Sequence, residues 1–386
     1  MSEPFIPYGR QIVDQDDIDA VVEVLRSDWL TTGPAVERFE TAFTGFVGAE
    51  HGVAVTNGTA ALHLAMLAAG VGPGDEVIVP ALTFVASANA ARYVGASVVF
   101  ADVRDDTLTI DVDHVASLIT GRTKAIVAVD YAGVPCDLDE LLALADRHGL
   151  VVVEDACHAP GARYRGRKVG SIAHLSTFSF HPVKSLTTGE GGMVTTNDAE
   201  LAARVRQLRN HGITTDFRQR EARGTWAYDM VELGFNYRLS DINCALGASQ
   251  VAKLGGWVAR RQELAARYDE LFASVEVVRT PVVPTDRTSG WHLYPVRLQT
   301  DEPATSRQEA FERLRANGIG VNVHYLPVYL HSSYRDAGYK PGLCPVAEAA
   351  YDGLLSLPMW PGLTEDGQDR VASLLVETIE QEPTGG

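Results

Sequence analysis

Leu150-Val-Val-Val-Glu-Asp-Ala156 is apolar over four consecutive residues and then abruptly acidic. A run without polar alternation is buried on both faces, as in the middle of a parallel sheet, whereas a half-exposed strand alternates. Six further runs of similar length accompany it, at 52–56, 76–80, 97–102, 125–130, 175–180 and 192–196. Helical patterns at 60–69, 137–148 and 199–209 stand between some of them. Strands alternating with helices predict an α/β fold whose large domain holds a mostly parallel seven-stranded sheet between helices.

Further along, 241–270 reads as a long helix interrupted at Gly255-Gly256, followed by a Pro- and Thr-rich stretch at 280–288. Beyond it, 291–298 and 320–325 read as strands and 306–317 as a helix ended by Gly318. The expected division is a large domain over 1–250, including the N-terminal segment, and a smaller C-terminal α/β domain over 251–386.

The 386 residues are 46% hydrophobic, ordinary for a soluble protein with a sizeable core. A formal charge of -17 argues against nucleic acid and anionic membranes as partners, since both call for a net basic footprint. No basic stretch followed by an apolar one opens the chain, and no run of about 18 apolar residues appears, so a cytoplasmic protein is expected. Cys136, Cys157, Cys244 and Cys344 have no metal-like or redox spacing and read as small core residues, with no metal site expected.

In such sheets ligands gather at the carboxyl ends of strands, so the polar residues after each apolar run form one set. Asn57-Gly58-Thr59 joins a strand to a helix, where first-turn amides and the Thr59 hydroxyl suit a phosphate, or where Asn57 or Thr59 simply caps the helix. Asp155 ends a buried strand and calls for a cationic partner such as a protonated ring nitrogen, or caps the next loop. Ser179 lies five residues before Lys184, and His181-Pro182 turns the chain between them. An amine for a Schiff base, an acid for a pyridine nitrogen and a helix start with hydroxyls for a phosphate together describe a pyridoxal 5'-phosphate (PLP) site. Phe84 stacks on that ring or belongs to the core.

The order Asn57-Gly-Thr59, Thr83-Phe-Val-Ala-Ser87, Glu154-Asp-Ala-Cys-His-Ala159 and Ser179-Phe-His-Pro-Val-Lys184 with Thr187-Thr-Gly-Glu-Gly-Gly192 resembles the DegT/DnrJ/EryC1/StrS sugar aminotransferases over nearly the whole chain. The resemblance implies a fold-type I PLP-dependent transferase, generally homodimeric. It implies Lys184 as Schiff-base lysine and proton shuttle, Asp155 at the pyridine nitrogen, and Gly58, Thr59 and Ser179 at the phosphate. His158 resembles the residue lying against the cofactor ring, and Asn236, in Gly234-Phe-Asn-Tyr-Arg-Leu-Ser-Asp241, the one that reaches the neighbouring subunit's phosphate. Read without the family, His158 is a structural histidine and Asn236 a turn residue. The reaction implied is a ping-pong transamination from L-glutamate, through the PLP and PMP forms, to a nucleotide-linked keto sugar.

Ser27–Pro34, Trp226–Arg238 and His324–Tyr329 look most like the C4-aminotransferases of pseudaminic acid biosynthesis, which act on UDP-4-keto-6-deoxy-N-acetylhexosamines. Relatives acting on GDP- or dTDP-linked sugars share most of the same motifs. Tyr8, Arg10, His211, His324 and Tyr325 are candidates for the sugar and diphosphate, or for packing. Asp130 departs from the family, whose members often carry His there, and either points away from the site or marks an altered substrate. A dehydratase of the same family would carry His in place of Lys184, and a regulatory protein that keeps the fold would not need the full set of site residues.

Overall fold

The computed structural model describes residues 4–215 and 217–380. All seven expected strands form one sheet: β1 (His51–Val55), β2 (Glu76–Pro80), β3 (Ser97–Ala101), β4 (Thr123–Val129), β5 (Val151–Asp155), β6 (Leu175–Ser179) and β7 (Gly192–Thr196). Their order is β1-β7-β6-β5-β4-β2-β3. Only β7 runs against its neighbours β1 and β6, and the other four pairings are parallel. The unbroken apolar run of β5 is accounted for by two-sided burial. Val153 enters a core with Val55, Leu62 and Val127, while Val152 enters the opposite one with Ile126, Leu141 and Leu144.

Helices cover both faces: α1 (Gln15–Leu25), α2 (Pro34–Val47), α3 (Gly58–Ala68), α4 (Val85–Tyr93), α5 (Leu138–His148), α6 (Ala199–Arg209) and α7 (Asp241–Phe272). Local chemistry sets their ends. Asp198 accepts from the amides of Glu200 and Leu201 to start α6, and Gly149 at φ 65° closes α5 in the left-handed conformation.

The expected interruption at Gly255-Gly256 does not occur: α7 is one helix of 32 residues. Both glycines lie on its exposed side. Val251, Leu254 and Val258 pack against the sheet side with Phe39, Phe43 and Phe178, and burial of that stripe outweighs about 1 kcal/mol of helix propensity lost per glycine. The end of α7 belongs to another core, where Leu264, Tyr268 and Phe272 meet Tyr294, Val296 and Leu355.

That second core is built on an antiparallel sheet of β8 (Val278–Arg279), β9 (Tyr294–Leu298) and β10 (Leu354–Leu357), with α8 (Pro303–Ala316) and α9 (Glu365–Glu380). A strand over 320–325 is not formed. The segment makes only the isolated bridges of Ile319 with Ile6 and Asn322 with Ser356, because its amides face the N-terminal segment and one edge residue rather than a continuous neighbour. Ile6, ahead of α1, packs on this core, with Ile6 N donating to Gly318 O at 2.9 Å and Gly320 N to Ile6 O at 2.7 Å. Asp105, in the loop after β3, pairs with Arg279 and Arg297 at 2.6 Å each and so ties the second core to the main sheet. Hydrogen bonds from Arg297 and Arg279 hold its carboxyl down at about 2.

A candidate active site at the carboxyl ends of the strands

Six of the seven strands point their carboxyl ends the same way, and there the backbone hands polar residues to a cavity of about 460 Å³. After β1, Asn57 accepts from Ala60 N at 2.8 Å and starts α3. First-turn amides have no partner within their helix, and Gly58 and Thr59, which open α3, line the cavity. Ser179, at the end of β6, faces them so closely that a Cβ on Gly58 would lie 2.9 Å from the Ser179 Cβ. The tight cleft between helix start and hydroxyl is a cradle for an anion, and the glycine keeps it open.

Asp155 ends β5, buried, with a carboxylate already oriented: Ser87 Oγ donates to Oδ2 at 2.6 Å and Cys157 N to Oδ1 at 3.3 Å. The hydroxyls of Ser87 and Thr83 lie 2.8 Å apart, so one turn at the start of α4 supports the acid. Lys184 follows the turn after β6, where its N–H donates to His181 O at 2.9 Å, and its side chain lines the cavity. Burial lowers the pKa of its amine, against the opposing pull of Cys157 and Asp155.

Much of the remaining wall is aromatic, with Glu190 also among the lining residues. Phe84 and Tyr325 rings stand 5.9 Å apart, and Tyr325 OH lies 3.2 Å from His158 Nε2. His324 Nδ1 contacts Ser356 Oγ at 2.8 Å, and burial pushes its pKa down to about 3. Burial likewise keeps His158 and His292 well below the usual imidazole range. Tyr8 also lines this wall, its pKa raised by burial against a hydrogen bond with Asn322.

Of the residues singled out in the sequence, Gly58, Thr59, Phe84, Asp155, His158, Ser179, Lys184, Tyr8, His324 and Tyr325 meet at this cavity. Three stand elsewhere. Arg10 is exposed beside a separate small recess, His211 is exposed with its N–H donating to Phe235 O, and Asn236 is exposed at a bridge with Asn210. Asp130 is also outside the cavity: it lies fully buried at the end of β4, with Cys136 N donating to Oδ1 at 2.9 Å. It therefore points away from any ligand at the strand ends. Ser87, His292 and Asn322 were not foreseen. Thr83 and Ser87 at i and i+4 beside a strand end carried a readable signal, whereas His292 and Asn322 arrive from the distant second core.

A model of the DegT/DnrJ/EryC1/StrS aminotransferase family matches residues 11–376. The chain belongs to that family. The aminotransferase is 40% identical over 379 residues to the spore coat polysaccharide biosynthesis protein SpsC of Bacillus subtilis, covering 97% of each. The PLP-form structure of the putative sugar aminotransferase Spr1654 from Streptococcus pneumoniae superposes with a TM-score of 0.92 at 32% identity, over 97% of this chain and 99% of that one. PseC of Helicobacter pylori, an aminotransferase involved in the biosynthesis of pseudoaminic acid, gives 0.90 at 33% identity, with the same coverage. The protein is a PLP-dependent sugar aminotransferase with the fold-type I architecture. Its cavity fits that cofactor: the cradle at Gly58 suits a phosphate, the preset Asp155 carboxylate a protonated ring, and the desolvated Lys184 amine an aldehyde carbon. Among the described residues no helix is long and apolar enough to cross a membrane.

Proposed function

We propose that the aminotransferase moves the amino group of L-glutamate to the C4 keto group of a UDP-linked 4-keto-6-deoxy-N-acetylhexosamine, of the UDP-4-keto-6-deoxy-L-AltNAc type, in two half-reactions. Gly58, Thr59 and Ser179 hold the cofactor phosphate, Asp155 its ring nitrogen, and His158 and Phe84 its ring faces. Bound in this way, pyridoxal phosphate supplies the electron sink that lets nitrogen leave one substrate and join the next.

The chain's own part centres on Lys184. Desolvation leaves its Nζ a free base at a pH where an exposed lysine is charged. It takes the proton from the α-carbon of the amino donor in the first half-reaction and delivers a proton to the sugar's C4 in the second. Ser87 and the Cys157 N–H hold the Asp155 carboxylate in place, so no reorganisation is needed when the ring arrives. Tyr8, His324 and Tyr325, neutral and aromatic, orient the sugar by hydrogen bonds and ring contact. The site is completed by a second copy of the chain, whose Asn236 reaches the phosphate.

The desolvated Lys184 beside Asp155 is the observation that carries the reaction, and the likeness to PseC over almost the full length of both chains supports the sugar. The test is a panel of UDP-, GDP- and dTDP-linked 4-keto and 3-keto sugars with L-glutamate, read by the mass of the aminated product. The UDP-linked 4-keto N-acetyl sugar is expected to be aminated at least about tenfold faster than the others, about 1.4 kcal/mol in the barrier. Preference for a GDP- or dTDP-linked sugar moves the enzyme to a perosamine-type or deoxysugar reaction instead.

A further inference from the structure

The backbone that carries His292 is heavily constrained. Trp291, just before it, takes φ 47°, a left-handed value that strains a bulky residue. Gly290 N donates to Gly133 O at 2.9 Å, and Trp291 N to Ser289 Oγ at 3.0 Å. The crossing has no room for side chains: a Cβ on Gly133 would lie 2.5 Å from Trp291 N, and one on Gly290 3.1 Å from His158 O. Arg261, buried in α7, donates to the carbonyls of Trp291 at 3.0 Å, His292 at 3.4 Å and Met359 at 2.7 Å. Strain, close approach and a buried guanidinium all act to fix the place of one side chain.

That side chain lies against His158. The two imidazole centroids are 4.5 Å apart with the planes at 48°, and each residue is only 5% exposed. His158 has one side-chain hydrogen bond, between Nε2 and Tyr325 OH, and the Nδ1 atoms of both histidines are buried without a partner among the described residues. One bond at one nitrogen fixes a point on the ring and leaves rotation about that point free. The contact with His292 removes that freedom. Burial keeps both imidazoles well below their usual range, so the pair packs as two neutral rings.

We propose that His292 is a positioning residue, which by packing on His158 fixes the tilt of the imidazole that His158 presents to the cofactor ring. This rests on the reading that places His158 against that ring. Five proteins test it: wild type, His292→Ala, His158→Ala, the double variant and His292→Phe. In each, PLP is titrated into apoenzyme for its dissociation constant, and the visible circular dichroism of the bound cofactor is recorded at saturation. His292→Ala is expected to weaken PLP binding by roughly 3- to 10-fold, in the range of coupling between touching residues, and to reduce the dichroism per bound cofactor. In the His158→Ala background the same change should have no further effect, and His292→Phe, which restores a flat ring without nitrogens, should return both readouts to within about twofold of wild type. If His292→Ala does not yield folded apoenzyme, His292→Leu fills its volume without a ring and carries the same expectation. Equal losses in both backgrounds, or none in either, overturn the proposal. A His158→Ala protein that binds PLP like wild type removes His158 from the ring, which is failure of the site reading itself and takes the proposal with it.

Discussion

Lys184 is poised by two opposed effects, and they can be separated. Burial lowers its pKa, while the Cys157 thiol and the Asp155 carboxylate pull it back up. Removing the Asp155 charge leaves burial with less opposition, so in Asp155→Asn apoenzyme the amine should be free at lower pH than in wild type. Trapping Lys184 with an amine-acylating reagent across a pH series, read by peptide mass, should show half-maximal labelling at lower pH in the variant, and faster labelling at pH 7. An unchanged or upward-shifted profile would mean that Asp155 does not act on this amine. Asp155, Ser179, Gly58 and Thr59 were legible as residues that meet at one cavity because each ends a strand or starts a helix, where sequence position sets spatial position, and Lys184 because it lies one turn beyond a strand end. Ser87 was less so, since its bond to Asp155 depends on α4 and β5 meeting across 68 residues. His292 and Asn322 depend on how the second core sits over the sheet, which local spacing does not encode.

Neighbouring strands β4 and β5 carry a second acid pair that the reaction does not use. Val129 is opposite Asp155 in the register, so the chain places Asp130 and Glu154 together beneath the sheet's end, both fully buried. Glu154 Oε2 accepts from Ser176 Oγ at 2.6 Å and Gly170 N at 3.3 Å, whereas Glu154 Oε1 and Asp130 Oδ2 have no hydrogen-bond partner among the described residues. Burial raises both pKa values, and repulsion by Glu154 raises that of Asp130 further, so the proton between them resides on Asp130. The folded protein then keeps a proton that the unfolded chain releases above about pH 4, and stability falls as pH rises from there toward the folded pKa. Asp130→Asn mimics the protonated acid. It should flatten the decline of Tm between pH 5 and 8 and raise Tm at pH 8 by about 1 °C in scanning calorimetry, roughly 1 kcal/mol for a chain of this size. A variant that keeps the wild-type slope would show that the pair is not the titrating element. Element boundaries were otherwise readable to within a few residues, because two-sided burial leaves an unmistakable apolar run. The misreadings at Gly255-Gly256 and at 320–325 share one cause: tertiary contact decided what local propensity could not. The buried stripe of α7 overrode two glycines, and the alternation after Gly320 records which residues face a core rather than a strand ladder.

For the whole molecule, the decisive matter is whether one chain makes one site. Asn236 lies outside its own chain's cavity, and the segment before it exposes Trp226 at 89% and Leu233 at 79%, an apolar surface that a second copy would cover. If Asn236 serves the neighbouring subunit, the two halves of each site can be supplied by different chains. Lys184→Ala lacks the amine, and Asn236→Ala lacks the phosphate contact. In a dimer of one of each, the site that takes Lys184 from the Asn236→Ala chain takes Asn236 from the other chain and is intact, while its counterpart lacks both. When the two proteins are unfolded together and refolded at equal amounts, half of the dimers are mixed and each has one intact site, so about a quarter of wild-type activity should return, as two-fold symmetry requires. Sites formed within single chains would give no more than the average of the two parents. About a quarter of the sites in the same mixture should bind PLP with wild-type affinity, a class that neither parent contains, which separates restored sites from a general gain in stability. Recovery of activity would thus place Asn236 across the subunit boundary without any appeal to relatives.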